Sequence, residues 1–284
     1  VLYRCRTLDL LAIFTFSARP GNSKPLGRNV AGLPASLWFV CAAAVYLALP
    51  LGSALAAMLP PAVFGATGSE FFIASSAAAA FAIAAAVALL CLYLIEPRTS
   101  PATGTKFGAA DIAPAFIAAP LILPFYLAAA VTSQWFFREV LHQPTPQIAH
   151  TALALFARAP LSAPGMTIAL TAVVLAPIVE ECLYRVFLTS CFVNLLSGTL
   201  PPRAVAPHRP TTIAVIATAA IFASVHAISG GPVPWAAVPG LFVLGLGLGL
   251  AYERTRRLGV PIIVHGLFNL SNLTIAALGI DAAA

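Results

Sequence analysis

Seven apolar runs, each near the ~20 residues a helix needs to cross a bilayer, constrain this chain more than any other feature. They cover approximately 35–60, 73–95, 110–136, 166–195, 211–229, 236–253 and 259–279. Inside hydrocarbon every backbone N–H and C=O must be satisfied within the protein, and runs of this length do so as helices. The expected fold is all-α: a polytopic transmembrane helical bundle of about seven spans. Composition agrees, because 60% of the residues are hydrophobic and 8% charged, against roughly 25% charged in an ordinary soluble domain. The run Leu10–Ala18 is too short to span and reads as a cut signal sequence or an interfacial segment. Between spans three and four, residues 148–158 read as an interfacial helix limited by Pro146 and Pro160.

Charge then orients the spans. Lys and Arg gather at the N-terminus (Arg4, Arg6, Arg19, Lys24, Arg28) and in alternate loops (Arg98, Lys106; Arg203, Arg209; Arg254, Arg256, Arg257). That makes twelve on one side against Arg138 and Arg158 on the other, so the N-terminus is expected in the cytoplasm and the C-terminus outside. The net charge of +6 is spread between spans in ones, twos and threes, a pattern that orients a membrane protein and forms no phosphate-binding groove. Nucleic acid is therefore not expected as a partner; the lipid bilayer is. Cys41, Cys91, Cys182 and Cys191 lie in apolar segments and Cys5 in the basic N-terminus, with no CxxC pair, so they read as small packing residues. Three regions are expected: a basic cytoplasmic segment over 1–34, accessory spans over 35–163, and a core of four spans over 164–284.

The chemistry is concentrated where it is costliest. "VVLAPIVEECLYRVFLTSCF" (173–192) lies inside span four yet carries Glu180, Glu181 and Arg185. Each ionisable side chain at bilayer depth costs a few kcal/mol, so three within six residues ask for a function. Span five adds His226, and span seven adds His265 and Asn269. Glu181 and Arg185 are four residues apart and can pair on one helix face, whereas Glu180 is turned about 100° away and faces a different partner. His265 and Asn269 also share a face. Phe222, one turn before His226, is placed to wall a pocket and limit water. A carboxylate, two imidazoles and an amide can orient a water, take its proton and hold an oxyanion. Counting ~1.5 Å per residue, Glu180 and His226 would lie roughly 22–24 Å from the cytoplasmic ends of their spans but His265 only about 9 Å, which sets their meeting as a condition on the fold.

"EECLYR" (180–185), "FASVH" (222–226) and "HGLFN" (265–269) resemble the three signature motifs of the CPBP family, the CAAX-processing and bacteriocin-processing intramembrane endopeptidases. The family pattern is Glu-Glu-x-x-x-Arg, Phe-x-x-x-His and His-x-x-x-Asn on successive core helices, and the likeness covers roughly 165–272. The resemblance implies that Glu180 with His226 activates a water for attack on a peptide carbonyl, and that His265 and Asn269 stabilise the oxyanion. Glu181 and Arg185 would form a structural pair or position substrate. Val186 departs from the small residue many members carry there, which affects packing alone.

Blander readings apply to each residue singly: a buried ion network for the charged triplet, a satisfied core histidine for His226, interhelical hydrogen bonds for His265 and Asn269. Their coincidence in three ordered motifs favours catalysis. Two other functions compete with it: a transporter or proton relay, against which the chain has no evident inverted repeat, and a non-catalytic immunity or scaffold protein. No HExxH occurs, and a zinc ion could use at most Glu180, Glu181, His226 and His265. No cofactor is expected, with zinc disfavoured. His142, His150 and His208 read as solvated loop residues, Asp111 and Glu253 as interfacial charges, and Gly245, Gly247 and Gly249 as sites of close helix approach. The expected partner is a membrane-associated peptide or protein substrate, and the expected location a multi-pass protein of the cell membrane, of prokaryotic plasma-membrane type.

Overall fold

The computed structural model describes residues 33–65, 69–99, 104–105, 107–143, 151–199, 209–229 and 235–279. Of the expected basic segment 1–34 only its last two residues fall within this set; Leu10–Ala18, Lys106, Arg203, His150 and His208 lie outside it. Among the described residues there are helices and turns and no strand. The membrane-length helices are α1 (Ala35–Ala57), α2 (Glu70–Thr99), α3 (Ile112–Trp135), α5 (Ala163–Ser197), α6 (Arg209–Ser229), α7 (Val238–Thr255) and α8 (Gly259–Ala277), and seven stretches are long and apolar enough to cross a bilayer. The short amphipathic α4 (Thr151–Arg158) stands where an interfacial helix is expected. It buries Phe156 against Ile168 and Leu273 while Arg158 pairs with Glu70 at 3.3 Å at the surface.

Apolar residues face both inward and outward. Leu47, Leu51, Leu89, Tyr93, Leu94, Phe116 and Phe125 are exposed on helix faces that a soluble protein would cover. With lipid as solvent these faces are satisfied, and the chain is a multi-pass membrane protein.

One apolar core runs from Leu33 to Val264, so the first spans share it with the motif-bearing ones. α5 is central: it packs against α1, α2, α6 and α8, while α7 lies against α3 and α6. The approach of α7 to α6 depends on glycine. A Cβ on Gly245 would come within 3.2 Å of the Ala219 Cα, so even alanine would require the two helices to give by a few tenths of an ångström.

α5 is not a uniform α-helix. Its α-helical segment Ala176–Glu181 is flanked by two wider π-helical turns, Thr171–Leu175 and Cys182–Leu188. Such turns commonly occur at functional sites because they redirect side chains. At 35 residues α5 is about 52 Å long, well beyond the ~30 Å hydrocarbon core. This length accounts for the Glu180 part of the depth mismatch noted from sequence, since a count from the end of α5 overstates how deep Glu180 lies; the count for His226, on α6, is unaffected.

Asp111 and Glu253 lie near span ends, where interfacial charges are expected, but are not open to solvent there. Both are buried, Asp111 completely, and both are paired. Arg257 Nε donates to Asp111 Oδ1 while the Gly108 N–H donates to Oδ2, and Glu253 meets Arg256 at 3.1 Å. The reason is topological: the link between α7 and α8 lies against the segment entering α3, where Leu258 N–H also donates to the Gly104 carbonyl at 2.8 Å. Arg257 is 146 residues from Asp111, and no spacing rule reaches that far.

Candidate active site

Three helices bring the motif residues together. On α5, Glu181 and Arg185 are fully buried and paired, with Arg185 Nε donating to Glu181 Oε2 at 2.8 Å. This is the pairing their spacing predicts. The other carboxylate oxygen faces α8: Glu181 Oε1 lies 3.0 Å from His265 Nδ1. An ionised carboxylate only accepts, so Nδ1 carries the hydrogen and donates it. Glu181 therefore does two things at once, compensating a buried guanidinium and fixing the ring orientation of His265. The second was not legible from sequence, because the partners are 84 residues apart.

Fixing Nδ1 leaves His265 Nε2 turned toward Glu180, 3.9 Å from Oε2. His226, on α6, approaches the same oxygen from another side, with its Nε2 at 3.7 Å. Its Nδ1 lies 2.8 Å from the Phe222 carbonyl, one helical turn earlier, so Nδ1 again donates and Nε2 is left to the site. Two imidazoles thus present Nε2 to one carboxylate oxygen. That oxygen is shielded from solvent and accepts no hydrogen bond from the described residues, while the Glu180 side chain keeps 15% exposure. Separations near 3.8 Å exceed a direct hydrogen bond and suit groups that share a small molecule between them.

Phe222 closes the pocket as its position suggests. Its ring is 1% exposed and sits at 4.5 Å from the His226 ring, 5.9 Å from His265 and 5.3 Å from Tyr184, the last two edge-on. The Arg185 guanidinium lies 5.8 Å from the same ring centre. Asn269 is partly buried on α8, one turn beyond His265, and its Nδ2 donates to the Ala172 carbonyl of α5 at 2.7 Å. This contact also escapes sequence reasoning. Among the described residues no three His, Cys, Asp or Glu side chains are grouped so as to hold a metal ion.

The motif order, the helical bundle and the converging side chains all fit one comparison. Residues 162–271 match the family of type II CAAX prenyl endopeptidases, Rce1-like. The Rce1-like segment spans under half of the chain and contains Glu180, Glu181, Arg185, Phe222, His226, His265 and Asn269. It agrees with the resemblance carried by the three motifs, and it indicates a protease and so an enzyme. No curated protein and no solved structure matches the chain.

Proposed function

We propose that this protein is an intramembrane endopeptidase that hydrolyses a peptide bond in a membrane-proximal or prenyl/CAAX-like substrate. The observation that carries the reading is the convergence of His226 Nε2 and His265 Nε2 on Glu180 Oε2, at 3.7 and 3.9 Å, in a pocket walled by Phe222. Glu180 and His226 would hold one water between them. As that water attacks the peptide carbonyl, its proton passes to Glu180 and then to the leaving amine, so acid and base are the same group. His265 and Asn269 would receive the developing oxyanion, a role worth about 10²–10³ in rate for each donor. For His265 this requires a second proton at Nε2, because Nδ1 is given to Glu181.

The reaction as proposed uses no metal. Glu181 is committed to Arg185 and to His265 Nδ1, which removes one of the four candidate donors from any shared ion. Activity is expected to survive dialysis against a strong chelator; loss that zinc restores would contradict the glutamate mechanism. The direct test reconstitutes the purified protein in liposomes with a fluorogenic farnesylated CAAX peptide and with unlipidated leader-type peptides, and identifies products by mass spectrometry. Cleavage at one bond supports the reading and sorts the substrate class. A proton flux across the same liposomes without any cleavage would favour a relay instead.

A further inference from the structure

Pro177 stands three residues before Glu180 inside α5, where a proline removes a backbone donor. In the π-helical turn ahead of it, hydrogen bonds run from residue i to i−5, as in Ala176 N–H to the Thr171 carbonyl. The next bond of that ladder would join residue 177 to the Ala172 carbonyl, and proline cannot make it. A carbonyl without a donor inside a membrane span is costly, so something else must supply one. Asn269 does, through Nδ2 at 2.7 Å.

The neighbouring carbonyl follows the same logic. In an α-helical register Val173 would accept from residue 177, which again has no N–H. The Val173 oxygen faces Gly266 of α8, where an added Cβ would lie only 2.7 Å from it. Gly266 and Asn269, three residues apart, thus lie on the face of α8 that meets the stretch of α5 that Pro177 leaves open.

We propose that Pro177 is a positioning residue for the reaction: by withholding a donor from the Ala172 carbonyl, it hands that carbonyl to Asn269 and so fixes the Asn269 amide in the pocket. The carbonyl selects which end of the amide faces α5. One Nδ2 hydrogen is spent on Ala172, and the planar amide then sets the direction of the other. The catalytic consequence rests on the proposed function, since only an endopeptidase needs that second hydrogen for an oxyanion; the pairing itself does not.

The test uses full-length protein in detergent, labelled with ¹⁵N-asparagine, alongside cleavage kinetics on the fluorogenic farnesylated CAAX peptide. The side-chain amide resonance of Asn269 is identified by its loss in Asn269→Asp, an isosteric change that cannot donate when ionised. Pro177→Ala restores the N–H, and Pro177→Val does so while keeping more of the buried volume should the alanine variant fail to fold. We expect the Asn269 resonance to shift, with the other asparagine resonances unchanged. kcat should fall on the order of tenfold with KM little altered, the signature of a misplaced group. The double variant with Asn269→Asp should be no slower than Asn269→Asp alone, because both changes act through one contact. An unshifted resonance, an unchanged kcat or additive losses would each overturn the proposal. A shifted resonance in a protein that cleaves none of the peptides, even unmutated, would support the pairing and overturn the protease reading instead.

Discussion

At the scale of single residues, the adjacent glutamates hold opposite positions. Glu181 has both oxygens engaged, one by Arg185 at 2.8 Å and one by His265 at 3.0 Å, with no exposure. A glutamine there has one acceptor oxygen where the carboxylate has two, so either Arg185 or His265 loses its partner. Leaving a buried charge uncompensated typically costs about 3–5 kcal/mol. Glu181→Gln should therefore lower the melting temperature markedly and reduce cleavage as well, since His265 loses its fixed orientation. A variant with wild-type melting temperature would mean that the Arg185 pair contributes little. The Arg185 half of this arrangement was legible from i,i+4 spacing. The His265 half was not, because only the packing of α8 on α5 brings it there.

At the scale of elements, α5 and α8 form the working pair, and their contact is set by backbone as much as by side chains. Gly266→Ala would place a Cβ 2.7 Å from the Val173 carbonyl, a backbone atom with little room to yield. Overpacking of this kind costs about 1–3 kcal/mol, and here it should push α8 away from α5 and separate His265 from Glu181. Both melting temperature and cleavage rate are expected to fall; a variant equal to wild type in both would show that the helices have slack at this point. The start of α8 is held separately, by Asp111 and Arg257 across the α3 entry. Asp111→Asn should destabilise the protein by about 1–2 kcal/mol, measured as a drop in melting temperature, because Arg257 loses its carboxylate but, at 32% exposure, recovers part of the interaction from solvent. An unchanged melting temperature would deny this contact any part in holding α8. Sequence reasoning placed Asp111 at a membrane interface, as its position at the end of an apolar run suggests. Its burial depends on a link arriving from the far end of the chain. The π-helical turns of α5 were equally hidden, since apolar periodicity does not distinguish i→i−4 from i→i−5 bonding.

At the scale of the whole molecule, the seven spans were legible almost to their ends, because bilayer thickness sets a length that few other constraints can blur. The short amphipathic α4 was legible from the prolines at 146 and 160 that limit it. Orientation across the membrane remains a proposal from charge alone: twelve Lys and Arg on one side against two on the other place the N-terminus in the cytoplasm. Reporter fusions at Gly104 and after Ala284 should indicate opposite sides, the first cytoplasmic. Fusions reporting the same side would break the alternation from which the order of spans three to seven follows.

Glu180→Gln tests the account most directly. The Oε2 atom of Glu180 accepts no hydrogen bond from the described residues, so removing its charge orphans no partner, and it is the one oxygen on which both imidazoles converge. The measurement is cleavage rate and melting temperature of wild type and variant, side by side in one detergent. The rate should fall by about 10²–10⁴, the usual share of a general base. The melting temperature should move by no more than about 2–4 °C, equivalent to ~1 kcal/mol in a protein of this size. A Glu180→Gln variant that cleaves at near the wild-type rate would contradict the water-activating role and, with it, the reading of the pocket.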